Sequence, residues 1–142
     1  MDKIAIFKGK KIRRIIHENE WWFSVVDVIG VLTDSVNAND YWYRMKDRVK
    51  YEDGIELSTF CRQLKLEAPD GKMRETDCAN TESIFRIIQS IPSPKAELFK
   101  RWLAKVGYER VQEIENPELA TRRTRLIYKL KGYSEDWIEK RM

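Results

Sequence analysis

Apolar residues alternate with polar ones at the start of the chain and recur at helical spacing further on. Ile4-Ala5-Ile6-Phe7 is interrupted by Lys8-Gly9-Lys10-Lys11, and Ile12 to His17 then mixes apolar with basic residues, a pattern that predicts a hairpin with a basic tip. Asn19-Glu20 turns the chain into Trp21-Trp22-Phe23, an aromatic run suited to a third strand. Alternate side chains of a strand face opposite sides, so at least one ring of that run must meet a second layer or a partner. Ser24, with Asp27 three residues on and Val28-Ile29 and Val31-Leu32 behind it, signals a short helix from about 25 to 32.

After capping residues between Asp34 and Asn39, Trp42, Met45 and Val49 recur at helical spacing and predict a helix from about 39 to 50, closed by a break at Gly54. Leu64 and Leu66 alternate with Lys65 and Glu67, and Pro69-Asp70-Gly71 intervenes before Met73, the pattern of a second hairpin. From Asn80 the period is helical again: Ile84, Phe85, Ile87, Ile88 and Ile91 form a broad apolar face ended by Pro92. Ser93-Pro94 opens another helix with a hydroxyl cap and a proline in the first turn. Ala96, Phe99, Leu103 and Val106 line its expected buried side, and Gly107 is expected to close it. Asn116-Pro117 repeats the cap-and-proline start for a helix ending near Lys131-Gly132, and Ser134 caps a last helix whose pattern is still running at Met142, as expected of a chain cut from something longer. The expected fold class is α+β: a single domain of small antiparallel hairpins or a meander packed against about six helices.

With 142 residues the chain suits one compact domain, and the 42% apolar and 35% charged composition with mean hydropathy −0.60 leaves no room for a membrane span. The start, Met1-Asp2-Lys3-Ile4, lacks the apolar run of a secretory signal. Cys61 and Cys78, the two cysteines, read as reduced thiols in a cytoplasm. The net charge of +4 favours an anionic partner, and both ends of the chain are basic while the middle is slightly acidic.

A zinc site needs several closely paired ligands, which two distant cysteines and the single histidine, His17, do not supply. That lone histidine is equally poor material for a nucleophilic triad, and the scattered glycines form no phosphate-cradling loop, so no cofactor is expected. Asp53, Glu67, Asp70 and Lys72 fall in a strand-rich segment and could gather carboxylates around Mg²⁺ as in a nuclease, but a hairpin turn alone accounts for Pro69-Asp70-Gly71-Lys72. The chain is expected not to be an enzyme. Lys8, Lys10, Lys11, Arg13 and Arg14 place five cations within seven residues on a ribbon narrow enough for a groove, although lysines also protect exposed hairpin edges. Arg44, Lys46 and Arg48 add a second basic surface, with Tyr41 and Tyr43 available for stacking, although a solvated helix face accounts for them equally well. Arg122, Arg123, Arg125 and Lys129 form a third cluster, of the kind usually explained by a solvated helix face.

Four segments carry a resemblance: the opening hairpin into Trp22-Phe23-Ser24-Val25-Val26-Asp27-Val28, the Asn37 to Val49 helix, the helix holding Ile84 to Ser90, and Pro94-Lys95-Ala96-Glu97-Leu98-Phe99-Lys100-Arg101-Trp102-Leu103. Their order resembles the Bro-N domain, the N-terminal module of phage antirepressors, baculovirus repeated-ORF proteins and relatives of bacterial DNA-damage-inducible protein D. Residues 1–115 are expected to form that domain. The helical extension at 116–142, through Tyr133-Ser134-Glu135-Asp136-Trp137, resembles the damage-inducible D branch. Lys105-Val106-Gly107-Tyr108-Glu109-Arg110 departs from the Leu-Pro stretch usual in the family. The resemblance implies a DNA-binding module of a bacterial or prophage regulatory protein and supplies no catalytic residues. The alternative expectation is an antirepressor-like module that docks a protein regulator without touching DNA.

Overall fold

The computed structural model describes residues 12–142. The expected strand at Ile4 to Phe7 and the lysines of the basic tip, Lys8, Lys10 and Lys11, lie outside the described residues. The architecture is α+β, with an antiparallel sheet and six α-helices, and its residues group into two compact units divided between Lys100 and Arg101.

In the first unit, β1 (Arg14–His17) and β2 (Glu20–Ser24) pair across the two-residue turn Glu18-Asn19. Both turn residues adopt positive φ, 53° and 65°, the twist a tight hairpin requires. The second hairpin joins β3 (Arg62–Glu67) to β4 (Met73–Asn80). Its turn uses Gly71 at φ 84°, and the Asp70 carboxylate accepts the Lys72 N–H at 3.0 Å. The hairpins are not separate: Trp22, Phe23 and Ser24 lie opposite Asn80, Ala79 and Cys78, so that one sheet forms in the order β1-β2-β4-β3. Trp21 is exposed, whereas Trp22 packs with Leu66 and Cys78 and with the partly buried Ile15 and Leu64, as the strand alternation requires.

The N-caps expected at Ser24, within Asp34 to Asn39, at Ser93 and at Ser134 are made, whereas the helix after Asn116-Pro117 has Pro117 at its N-cap position, which makes no side-chain cap bond. Ser24 accepts from the Asp27 N–H and opens α1 (Val25–Thr33), and Asn37 accepts from Asp40 to open α2 (Ala38–Asp53). Gly54 stops α2 at φ 69°. Leu57–Phe60 forms a short 3₁₀ turn that buries Leu57. Asn80 caps α3 (Thr81–Ile88) through Ser83. Ser93 does two jobs at the start of α4 (Pro94–Glu115): its Oγ accepts the Ala96 N–H at 3.1 Å and donates to the Leu32 carbonyl at 2.6 Å, tying α4 to the end of α1. The core of this unit comprises Val25, Val28, Ile29 and Leu32 of α1, the Trp42, Met45 and Val49 stripe of α2, the isoleucines of α3 with Ile91, and Ala96 and Phe99.

The second unit holds the rest of α4, α5 (Glu118–Leu130) and α6 (Glu135–Arg141), the last capped by Ser134. Gly107 does not close α4, which continues to Glu115, and Val106 is exposed rather than buried. The cause is local: Gly107 keeps helical φ, and the run from Tyr108 to Glu115 favours helix with no proline until Pro117. Ile138 is buried, and Tyr128, Tyr133 and Trp137 form a ring cluster, with Tyr133 and Trp137 stacked at 4.1 Å. No helix among the described residues is long and apolar enough to cross a membrane.

Glu113 accepts two hydrogen bonds from the Arg123 guanidinium, at 2.6 and 2.9 Å. These bonds hold its carboxyl below the ordinary glutamate range. A carboxylate whose folded pKa is depressed adds stability above its unfolded pKa, near 4.3, and loses it as pH falls through the lower folded value. Glu113→Gln is therefore expected to be less stable than the parent at pH 7, with the difference closing below about pH 4, as urea titrations across that range will read. A gap that persists unchanged at low pH would show that the ion pair is not its source.

Candidate nucleic-acid interface

The β1–β2 ribbon sets alternate side chains on opposite faces, and its solvent face carries Arg14, Ile16 and Trp21. The Arg14 guanidinium lies over the Trp21 ring, 4.0 Å from its centroid, and has no carboxylate partner among the described residues. Trp21 remains 40% exposed and Ile16 52%. A cation held over a partly exposed indole can bond a phosphate while the part of the ring it leaves uncovered offers a surface to a base. His17 ends β1 with its ring edge against Trp22, whose indole N–H donates to the His17 carbonyl at 3.1 Å.

Arg13 is placed differently from its neighbour. Its Nε and one terminal nitrogen donate to the two oxygens of Asp27, at 2.8 and 3.0 Å, and its backbone N–H also bonds Asp27, at 2.9 Å. The other terminal nitrogen donates to the Glu67 carbonyl at 3.0 Å. The guanidinium therefore links the chain entering β1, the first turn of α1 and the end of β3, and a phosphate would have to displace Asp27 to use it in a fork.

The α2 cations are distributed over different partners. Arg44 pairs with Asp40 at 3.0 Å on an exposed face. Lys46 lies 3.7 Å from Asp77, which also accepts the Trp42 indole N–H at 2.8 Å, and its ammonium sits over the Trp42 ring. Arg48 turns away from both and donates to the Ser90 carbonyl at 3.0 Å. There it meets Arg86 of α3 and Lys100 of α4, two cations that the sequence reading did not single out because no periodicity links positions so far apart. Tyr43 is exposed and Tyr41 half-buried. In the third basic cluster, Arg123, Arg125 and Lys129 are paired with Glu113, Glu139 and Glu135.

The carboxylates considered for a metal are not gathered. Asp70 is engaged by Arg74 and its own turn, and its carboxyl is held below the ordinary range, mainly by the Arg74 bond. Asp53 lies at the exposed end of α2, and no cluster of three or more His, Cys, Asp or Glu side chains suited to a metal occurs among the described residues. Cys61 and Cys78 are free thiols, and burial pushes them up to about 12 and about 11.

Comparison with known proteins finds one match. A family described as "BRO family, N-terminal domain" matches residues 11–113. No curated protein and no solved structure matches the chain. The matched segment runs from Lys11 through nearly all of α4, well over half of the 142 residues. It includes the sheet, α1 to α3 and the Phe99 and Trp102 stretch of α4. The chain belongs to the BRO family and carries its Bro-N domain.

Proposed function

We propose that this Bro-N domain is a non-enzymatic DNA-binding module of a bacterial or phage regulatory protein, gripping phosphates with its basic β-ribbon. The observation that carries this reading is the Arg14 guanidinium stacked on a 40% exposed Trp21, with no carboxylate to neutralise it among the described residues. The sequence leading into that ribbon adds Lys8, Lys10 and Lys11, and membership of the family supports a regulatory setting. The tail's resemblance to the damage-inducible D branch supports a role in the response to DNA damage. Arg44 and Lys46 extend the basic surface as weaker contributors, because each would exchange a carboxylate for a phosphate.

Arg14→Gln is expected to weaken binding of a fluorescently labelled DNA about tenfold while leaving the melting temperature close to that of the parent, because the side chain is exposed. Anisotropy titrations with single- and double-stranded oligonucleotides read both the loss and the preferred form. Unchanged affinity for both forms would remove the ribbon from the interface.

A second reading, docking of a protein regulator, draws support from one feature of the C-terminal unit. Val111, Ile114, Leu126 and Leu130 are all more than half exposed there, aliphatic side chains that a docked partner would cover.

A further inference from the structure

We propose that the first unit contains a separate phosphate-binding cleft, formed by Arg48 of α2, Arg86 of α3 and Lys100 of α4, which takes a phosphoryl oxyanion. The three side chains line one cavity of about 470 Å³, together with Ser90 and Pro92 of the α3–α4 connection. Two of the cationic heads are brought to a single residue: Arg48 donates to the Ser90 carbonyl at 3.0 Å, and Arg86 donates to the Ser90 hydroxyl at 2.9 Å. All three cations are half-buried, and none has a carboxylate within ion-pair distance among the described residues. Asp53, on the exposed rim of the same cavity, is the one acidic side chain lining it.

Capping of α3 explains part of this arrangement. The Phe85, Ile87 and Ile88 carbonyls near its end already accept backbone N–H groups, and the two arginines bond the Ser90 carbonyl and hydroxyl just beyond it, where cations near a helix C-terminus are favoured. That role uses one N–H of each guanidinium and leaves four, enough for a forked grip on an oxyanion. It does not involve Lys100, which reaches the cleft from a different helix. Three like charges converging at half-buried positions repel one another until an anion joins them. Phosphate chemistry fits better than carboxylate because three separate cations match its several charged oxygens. The ligand is either a phosphodiester of the nucleic-acid backbone or a free phosphate or phosphate ester. The proposal does not depend on the ribbon, though the first source would join both surfaces on one DNA.

The test uses the whole 142-residue chain, labelled with ¹⁵N and titrated with inorganic phosphate against chloride at matched ionic strength. The expected result is saturating shifts at the amides around Ser90 and at the Arg48 and Arg86 side-chain signals, absent from the Arg86→Gln/Lys100→Gln double variant. Parallel anisotropy titrations with an oligonucleotide identify the source. A loss of roughly tenfold or more in the double variant assigns the cleft to a backbone phosphate, whereas unchanged DNA affinity with saturating phosphate shifts assigns it to a free phosphate group. If the double variant fails to fold, the parent alone decides: phosphate shifts that neither saturate nor localise at Ser90 overturn the proposal. DNA binding that survives the double variant but not Arg14→Gln, with no phosphate saturation, would overturn the cleft and leave the ribbon standing. Saturation at Ser90 in a chain that binds no DNA would do the reverse.

Discussion

Phe99→Ala is expected to destabilise the protein by about 3–5 kcal/mol, the range for removing a fully buried aromatic side chain. Phe99 is completely enclosed, its ring 5.4 Å from that of Phe85 and tilted by 58°. It stands on α4, whose start is fixed by the Ser93 bond to Leu32, so the helix cannot slide inward to fill the space. The cost therefore includes the cavity as well as the lost transfer energy. Urea denaturation followed by tryptophan fluorescence measures it, and a loss below about 1 kcal/mol would show that the first turns of α4 do not seal the core. Phe99→Leu, which refills most of the volume, is expected to recover more than half of the deficit.

The second large effect is expected at Asp27. Asp27→Ala removes three hydrogen bonds from Arg13, leaves a partly buried guanidinium without its counter-charge, and deletes the acidic residue in the first turn of α1. With the Arg13 side chain about three-quarters and the Asp27 side chain about four-fifths shielded, the expected loss is about 2–3 kcal/mol. The double variant Arg13→Ala/Asp27→Ala is expected to lose less than the sum of the two single changes, because removing both partners strands neither charge. Strictly additive losses would mean that the pair does not act as a unit. Arg13→Lys separates charge from shape: it keeps the cation but not the fork, and is expected to be destabilised almost as much as the alanine variant.

Local features of the fold were legible in the sequence because they depend on residues a few positions apart. Ser24, Asn37, Asn80, Ser93 and Ser134 each cap the helix their spacing implies, and the Trp21 and Trp22 alternation assigns one ring to solvent and one to the interior. Gly107 misled because a glycine ends a helix only when the backbone turns left-handed there, and this one stays helical. The joining of two hairpins through β2 and β4 depends on pairing between Trp22 and Asn80, which no local pattern announces. The proposed binding surface divides in the same way. Arg14 could be placed on an exposed strand from its neighbours, but its neighbour Arg13 has the same charge and a different task, because the partner that captures it, Asp27, arrives with another element. Arg86 and Lys100 were invisible for that reason as well: what unites them with Arg48 is the turn at Ser90, reached only when three helices have packed.

The central claim is that the Bro-N domain binds DNA through phosphates, and its most direct test is the salt dependence of affinity. Anisotropy of a labelled oligonucleotide at three salt concentrations, first without and then with Mg²⁺, is expected to give a log–log slope of about −3.5 to −4.5 on duplex DNA, corresponding to about four or five phosphates held by the ribbon and its flanking cations, with the DNA left intact. Affinity that does not change with salt, or no binding at low salt, would contradict it.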